Sequence, residues 1–416
     1  MGLASFTPVT VGPITLRNRY VRAGANEMMT TGCLPSRSLL AFHERLAEGG
    51  VGMTTLAYIA VSADGRTFSE QGVMTPEAVP HYKAVTDAVH GHGAKVSAQI
   101  THAGSFVQHN ELSTKRAWTA DGGLDILGLG RGRPFQHSMT PADMDKITGE
   151  FVRAAELCRD AGFDAVEIHM GHGYLLNQFI SPLSNHRKDK YGGSAENRAR
   201  FPAQVAAAVK AAVGNDLAVI AKINLHDGVK NGATVDDAIV TAKVLEAAGV
   251  DMLVLSGGRN IESSWALFNS PLPYADLKKV QTGLAASLQF FVLERTTPKS
   301  AVFHELYFLE AARRVRAAVG CGLAYVGGLL SRKDADALID EGFDAVVMAR
   351  ALVHQPDLVN AFAVGQAERS TCISCNRCVA TMYRPEALNC PLTHNALPQE
   401  WNTVPAAEQQ WNASRP

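Results

Sequence analysis

Short, almost continuously apolar runs alternate along the chain with longer stretches in which apolar residues recur every three or four positions. The short runs are typical of parallel strands covered on both faces, and the longer stretches of amphipathic helices. Several of the predicted helices end on a glycine just before the next strand. Eight strand–helix pairs can be counted, with predicted strands at 20–25, 51–61, 94–99, 164–169, 218–223, 251–256, 323–327 and 344–349.

This alternation predicts an α/β fold, and eight tightly connected pairs favour a (β/α)8 TIM barrel. The alternative is an open, doubly wound sheet. The dinucleotide-binding form of that sheet carries GxGxxG after its first strand, and no such motif follows residue 25. In a barrel, polar side chains at the C-terminal ends of the strands gather at one mouth, where active sites lie.

Two connections are longer than a simple return to the next helix requires, 101–140 after the third strand and 257–304 after the sixth. Long connections in a compact domain are commonly functional, so we expect both over the barrel mouth. The second is apolar enough for a substrate lid or for a surface that binds a partner. Its place after a barrel strand favours the lid, with Trp265 as a candidate substrate-binding residue. We divide the chain into a barrel, 1–365, and a cysteine-containing C-terminal extension, 366–416.

The charge balance narrows the class of partner. The chain has 416 residues, with 39 Lys and Arg against 40 Asp and Glu and a formal net charge of −1, so no field attracts nucleic acid or an anionic membrane. No apolar run reaches the roughly 18 residues of a membrane helix. Arginines at 17, 19 and 22 interrupt the first apolar stretch before it reaches the length of a signal peptide. We expect a cytoplasmic protein that acts on a small molecule, with a homo-oligomer left open.

The richest group of chemical side chains follows the predicted fourth strand, in HMGHGYLLNQFISPLSNHRKDKYGGSAENR. His169 ends the strand, and His172 and Tyr174 lie in the loop after it. Two imidazoles there could bind and polarise a carbonyl or phenolate oxygen, while the phenol of Tyr174 donates a proton. The histidines could instead be structural or bind a metal. A metal is less favoured because no acidic residue stands at a recognisable offset to complete the ligand set.

The same stretch resembles the signature of the old yellow enzyme family of FMN-dependent ene-reductases. The likeness extends over residues 6–358 and includes VGPITLRNRYV, AQITHAG, AYVGGLLS and VVMARALVHQPDL. It implies a barrel that binds FMN noncovalently at its mouth and takes hydride from NADH or NADPH. The reaction implied is reduction of the C=C bond of α,β-unsaturated carbonyl compounds, with hydride from flavin N5 and a proton from tyrosine. Reduction of quinones or nitro compounds, amine oxidation, ring-ketone desaturation and a non-catalytic ligand-binding barrel remain alternatives.

The resemblance also implies roles for individual residues. His169 and His172 match the pair that binds the activating oxygen of the substrate, and Tyr174 matches the proton donor. Gln99 matches the residue at the pyrimidine edge of the flavin, and Lys222 takes the place of a basic residue beside N1 and O2. Gly327, Gly328 and Arg350 match the phosphate site. The full cofactor-binding set implied is Ala25, Asn26, Ala60, Gln99, Lys222, Gly327, Gly328, Ala349 and Arg350.

Two features depart from the family pattern. Asn26 stands where the family usually has Thr or Cys near flavin N5 and O4, so the reduction potential and the preferred direction are not inherited. Cysteines near the end of the chain resemble those that bind a [4Fe-4S] cluster in relatives of dienoyl-CoA reductase and trimethylamine dehydrogenase, with one residue fewer between the second and third. An iron–sulfur cluster, zinc or a metal-free remnant are the alternatives for these four residues, Cys372, Cys375, Cys378 and Cys390.

Overall fold

A closed barrel of eight parallel strands forms the centre of the protein. The computed structural model describes residues 3–393 and 395–404. Each strand pairs in parallel with its neighbours in chain order, and the eighth pairs with the first. The predicted (β/α)8 barrel is therefore confirmed. The strands are β1 Tyr20–Arg22, β2 Met53–Ala60, β3 Lys95–Thr101, β4 Ala165–Met170, β5 Ala218–Asn224, β6 Met252–Ser256, β7 Gly322–Val326 and β8 Ala345–Met348.

Eight helices follow the strands one by one and surround the barrel. Their starts are set by side-chain caps: Thr140 and Thr234 form capping boxes, and Ser36, Ser194 and Ser331 each accept a backbone N–H of the first turn. The helices are α1 Arg37–Glu48, α2 Val79–Gly91, α3 Pro141–Asp160, α4 Ala195–Val213, α5 Val235–Ala247, α6 Leu309–Arg316, α7 Arg332–Asp340 and α8 Leu358–Ala363.

The hydrophobic core has two parts. One part lies between strands and helices, and the other fills the barrel interior with small and branched side chains such as Ala165, Ile220 and Val254. An N-terminal hairpin, Val9–Val11 with Ile14–Leu16, packs into the interior part. Because the hairpin precedes β1, it covers the N-terminal end of the barrel and leaves the C-terminal mouth for chemistry.

The remaining elements lie in the connections and in the extension. Both long connections that the sequence predicts carry structure of their own. None of the described helices is long and apolar enough to cross a membrane. The elements are the 3-10 helices Ala4–Phe6, Ala63–Gly65, Pro76–Ala78, Gly104–Phe106 and Gln399–Trp401, the strands Thr30–Thr31, Leu34–Pro35, Trp118–Thr119, Gly123–Leu124 and Phe135–Ser138, and the helices Ile126–Leu129, Leu175–Ile180, Ser264–Phe268, Tyr274–Val280, Leu284–Thr296, Arg350–His354 and Arg377–Thr381.

The described part of the C-terminal extension packs against the barrel. Leu388 and Leu397 belong to the main hydrophobic cluster. The N–H of Leu388 donates to the carbonyl of Glu27 at 3.1 Å, and the amide of Asn395 donates to the carbonyl of Val353 at 2.7 Å. The extension therefore shares its apolar core with the barrel, and a boundary at residue 366 remains a prediction. Residues 394 and 405–416 of the predicted extension lie outside the described residues.

Candidate active site

A cavity of about 380 Å³ opens at the C-terminal ends of the strands. Most residues that the sequence singles out line it, although they lie on six different strands or the loops after them. Both long connections reach it as well, through side chains such as Phe106 and Leu127 after β3 and Leu267 and Phe290 after β6. The sequence-predicted residues that line the cavity are Ala25, Asn26, Gln99, His169, His172, Tyr174, Lys222, Gly327, Gly328, Ala349 and Arg350.

Two of the predicted cofactor- and substrate-binding residues lie outside the lining. Ala60 is fully buried in β2, where its N–H donates to the carbonyl of Gly72, and Tyr58 of the same strand lines the cavity instead. The pairing of β2 with β3 shifts register between Leu56 and Ile59, which changes the side chains that face the mouth. Trp265 is also outside, because helix Ser264–Phe268 turns other residues, among them Phe268, to the cavity.

The two histidines and the tyrosine form one compact group. The ring centroid of His169 lies 4.5 Å from that of Tyr174 and 4.9 Å from that of His172. His169 is the fifth of the six residues of β4, and His172 occupies a left-handed turn with φ 58° before helix Leu175–Ile180. The amide oxygen of Asn224 accepts the His172 N–H at 3.0 Å and holds this turn. The predicted convergence of the three side chains is present in the structure.

The hydrogen bonds of the imidazoles fix the donor of His169 and identify the polar partner of His172. His169 Nδ1 accepts the N–H of Gly171 at 3.2 Å, so Nε2 carries the proton. His172 Nε2 lies 2.8 Å from the Ser256 hydroxyl on β6, which leaves Nδ1 as its second polar atom. Burial, followed by the charge of Lys222, lowers the pKa of His172 to about 3. Burial also lowers the pKa of His169 well below its usual value, so both rings are neutral hydrogen-bonding groups at neutral pH.

Tyr174 is held as a neutral phenol. Its side chain is 4% exposed, and burial raises its pKa well above the usual value. The neighbouring Tyr58 ring lies 5.2 Å away between centroids and raises the pKa of Tyr174 further. Burial likewise raises the pKa of Tyr58 to about 12. A protonated phenol beside two neutral imidazoles is an uncharged proton donor, and it becomes a phenolate once the proton has been transferred.

A buried ionic network lies on the same strands. Lys222 Nζ forms a 2.8 Å ion pair with Glu167 Oε1 and donates to the carbonyl of Gly24 at 3.0 Å. Gln99 Nε2 donates to the same carboxylate oxygen at 2.5 Å. A Cβ at position 24 would overlap Gln99 Nε2, so only glycine allows this approach. Sequence reasoning missed Glu167, although it lies two residues before His169 on one strand and therefore on the same face.

Arg22 is a second buried cation that sequence reasoning missed. It lines the cavity, is 1% exposed and forms a 2.6 Å ion pair with Glu27. Glu27 and the next residue, Met28, do not line the main cavity and contribute to a separate small void. Asn26 lines the main cavity, but its Oδ1 accepts the N–H of Met28 at 3.1 Å, so part of its amide serves its own loop.

The loops after β7 and β8 provide a glycine-rich wall and a cation. A Cβ at Gly328 would lie 2.9 Å from the Tyr307 ring and 3.1 Å from the carbonyl of His304, and its φ of 73° is left-handed. Gly327 and Ala349 flank the same part of the cavity. Arg350 begins the short helix Arg350–His354, and its guanidinium is bound by the C-terminal extension.

The four C-terminal cysteines differ in their exposure and surroundings. Cys375 is exposed and Cys390 is buried, with its Sγ 3.3 Å from His354 Nδ1. Cys378 lines the cavity, and burial raises its pKa to about 12. In residues 3–393 and 395–404, no three His, Cys, Asp or Glu side chains are arranged to hold a metal ion. The four cysteines, Cys372 included, lie near one another without forming such a ligand set, and an iron–sulfur or zinc site at them stays a prediction.

Comparison with known proteins identifies the family. The NADH:flavin oxidoreductase / NADH oxidase family profile matches residues 5–267, more than half of the chain. The chain belongs to this family. As a family member it is an enzyme, an FMN-dependent NAD(P)H oxidoreductase, and the resemblance to old yellow enzymes is confirmed.

Individual relatives agree with this assignment. The 4,4'-dithiodibutanoate disulfide reductase of Rhodococcus erythropolis is 39% identical over 382 residues, covering 91% of this chain and 93% of that protein. An NADPH dehydrogenase from a Geobacillus species is 31% identical, covering 67% of this chain and 81% of that protein. A 2-naphthoyl-CoA reductase structure superposes with a TM-score of 0.78 at 21% identity, covering 96% of this chain and 58% of that chain, and supports the fold.

The residues present in this flavin oxidoreductase fit FMN. Gly24 leaves room against the Gln99 amide, and Lys222 provides a cation in the centre of the mouth. Gly328, which has no side chain, and the guanidinium of Arg350 line the same cavity. Amide, cation and glycine-rich backbone are the groups that a flavin ring and a phosphate require.

Proposed function

We propose that this enzyme reduces the C=C bond of α,β-unsaturated carbonyl compounds with NADH or NADPH. The observation that carries the proposal is the convergence of His169, His172 and Tyr174, all neutral, on one cavity. FMN, when bound, supplies the hydride that it has taken from the nicotinamide. All other roles below belong to side chains of this chain.

His169 and His172 bind the carbonyl oxygen of the substrate. His169 donates from Nε2, because Nδ1 is occupied by the N–H of Gly171. His172 donates from Nδ1 when Ser256 donates to its Nε2. Two donors on one oxygen draw electron density from the conjugated alkene and make its β-carbon accept hydride more readily. Because the rings are neutral, they polarise the carbonyl without placing a permanent charge in the site.

Tyr174 gives the proton that the α-carbon needs when the β-carbon receives hydride. Its raised pKa keeps the proton on Oη until a carbanion-like carbon develops next to it. Lys222, balanced by Glu167, provides a fixed positive charge at the centre of the mouth. We propose that this charge faces the pyrimidine edge of FMN and that Gln99 binds the same edge.

The role of Tyr174 can be tested by separating the two halves of the reaction. For Tyr174→Phe we expect anaerobic reoxidation of the reduced enzyme by cyclohexenone to slow about 100-fold. The rate of reduction by NADPH should stay within about twofold, since no proton from Tyr174 is used there. Stopped-flow absorbance of the flavin measures both rates. Tyr82→Phe is the matched control, because this buried tyrosine lies outside the main cavity and its hydroxyl has no partner in the described residues.

Reduction of an organic disulfide is a second candidate function. The observation in its favour is the 39% identity, over nearly the whole of both chains, to the 4,4'-dithiodibutanoate disulfide reductase. The reaction would consume one NAD(P)H and one proton and release two thiols. Anaerobic enzyme reduced by NADPH is mixed in turn with cyclohexenone and with 4,4'-dithiodibutanoate. Faster reoxidation by the enone, with the saturated ketone as product, supports the first function, and reoxidation by the disulfide alone replaces it with the second.

A further inference from the structure

The C-terminal extension meets the barrel at Arg350. The guanidinium donates from Nη1 to Asn376 Oδ1 at 2.6 Å and to the carbonyl of Ser374 at 3.4 Å. It also lies over two aromatic rings, with 5.4 Å to the centroid of Phe268 and 5.2 Å to that of Phe303. All these partners are neutral, and no carboxylate of the described residues forms an ion pair with Arg350. A cation that lines a cavity without a counter-ion favours an anionic ligand.

Asn376 fixes the position of this guanidinium. The residue is 1% exposed, and both ends of its amide are used. Its Oδ1 accepts from Arg350, while its Nδ2 donates to the Ser270 hydroxyl at 2.8 Å and to the carbonyl of Pro271 at 2.9 Å. One buried amide therefore ties together the extension, the connection after β6 and the cation at the end of β8.

Ser374 presents an unused donor beside the same cation. It lines the cavity and is 6% exposed, yet its buried Oγ has no hydrogen-bond partner in the described part of the chain. A buried hydroxyl without a partner is unfavourable unless a ligand provides one. The residue also has φ 54°, a left-handed conformation that serine adopts reluctantly. The extension thus holds a free hydroxyl and a cation without a counter-ion next to each other.

We propose that Ser374 donates a hydrogen bond to the phosphate of FMN and that Asn376 is the positioning residue that holds Arg350 against the same group. This inference rests on the FMN binding that the proposed function requires. The phosphate is the anionic group of FMN, and it meets the needs of both the guanidinium and the hydroxyl. The extension then takes part in cofactor binding.

The test compares FMN with riboflavin, which has the same ring system and no phosphate. Full-length protein freed of flavin is titrated with each, and quenching of flavin fluorescence gives the two Kd values. Ser374→Ala should raise the Kd for FMN about tenfold and leave that for riboflavin within about twofold. Ser370→Ala is the matched control: Ser370 is a buried serine of the same extension, its Oγ accepts the Cys372 N–H, and it does not line the cavity. It should change neither value.

Two further variants keep the test decisive. Ser374→Gly removes the hydroxyl and accepts the positive φ without strain, so it folds even where alanine does not, and it should show the same selective loss. Asn376→Ala should likewise weaken FMN more than riboflavin. An equal rise for both ligands, or no rise in the Kd for FMN, would overturn the assignment of Ser374. Wild-type protein that binds neither flavin would overturn the proposed function, and this inference with it.

Discussion

At the scale of single residues, the buried ion pair of Lys222 with Glu167 places charge directly beside the histidine pair. Lys222 and Glu167 form a 2.8 Å pair with almost no exposure, and Gln99 adds a hydrogen bond to the carboxylate. The charge of Lys222 helps to lower the pKa of His169 and of His172, and both rings stay neutral. Removing either side chain of this pair therefore changes the net charge near the cofactor.

This charge balance predicts opposite effects of two substitutions on bound FMN. Glu167→Gln removes the counter-charge, so the negative charge gained on reduction is better stabilised and the reduction potential rises. Lys222→Met removes the cation, and the potential falls. We expect shifts of about 30 mV, the equivalent of about 1.4 kcal/mol for a two-electron couple. Spectroelectrochemical titration of the holoenzyme measures them, and shifts of the same sign would contradict the pairing.

The lowered pKa values of the two histidines predict how the rate of alkene reduction responds to pH. Burial lowers the pKa of His172 to about 3 and that of His169 well below its usual value. Both rings are neutral above those values, so acidification from about pH 8 to pH 5 does not protonate them. The rate of anaerobic reoxidation by cyclohexenone should be flat across this range. A step near pH 6.5 that disappears in His172→Ala would show that the imidazole titrates normally.

At the scale of elements, the extension behaves as part of the barrel. Leu388 is 6% exposed and belongs to the main hydrophobic cluster, whereas Leu392, four residues later, is 42% exposed. Packing of this kind lets the two parts unfold together. The cavity wall formed by the extension then depends on the same cooperative structure as the strands.

Two leucine substitutions test this coupling. Leu388→Ala should lower the free energy of unfolding by about 2 kcal/mol, since it removes buried methyl groups from a shared core. Leu392→Ala should change it by less than about 0.5 kcal/mol. Urea unfolding followed by both circular dichroism and flavin fluorescence measures each variant. Separate transitions for the two probes, or equal effects of the two substitutions, would indicate an independent extension.

The elements also show where sequence reasoning reaches its limit. The barrel could be predicted because the spacing of apolar residues and the helix-capping residues are local features of the sequence. The sequence could not show that Tyr58 lines the mouth and Ala60 does not, because this depends on a register shift between neighbouring strands. The contact of Asn376 with Arg350 depends on the path of the extension, which no local pattern encodes. Glu167 was within reach, since strand alternation alone puts it beside His169.

At the scale of the whole molecule, the barrel places groups from distant parts of the chain around one cavity. β4 supplies the histidine, β5 the lysine, and the loops after β7 and β8 the glycines and Arg350. The long connections and the extension add apolar side chains such as Phe290 and Met382 around this polar centre. A cavity of this kind suits a largely apolar substrate with one carbonyl to be bound and polarised.

The most direct measurement is anaerobic reoxidation of NADPH-reduced enzyme by cyclohexenone in the double variant His169→Ala, His172→Ala. His226→Ala is the matched control, a largely buried histidine outside the cavity lining. The double variant should keep the absorption spectrum of bound FMN and its reduction by NADPH, while reoxidation by the enone falls about 1000-fold. Reoxidation at the wild-type rate would contradict the role of the histidine pair in binding and polarising the substrate.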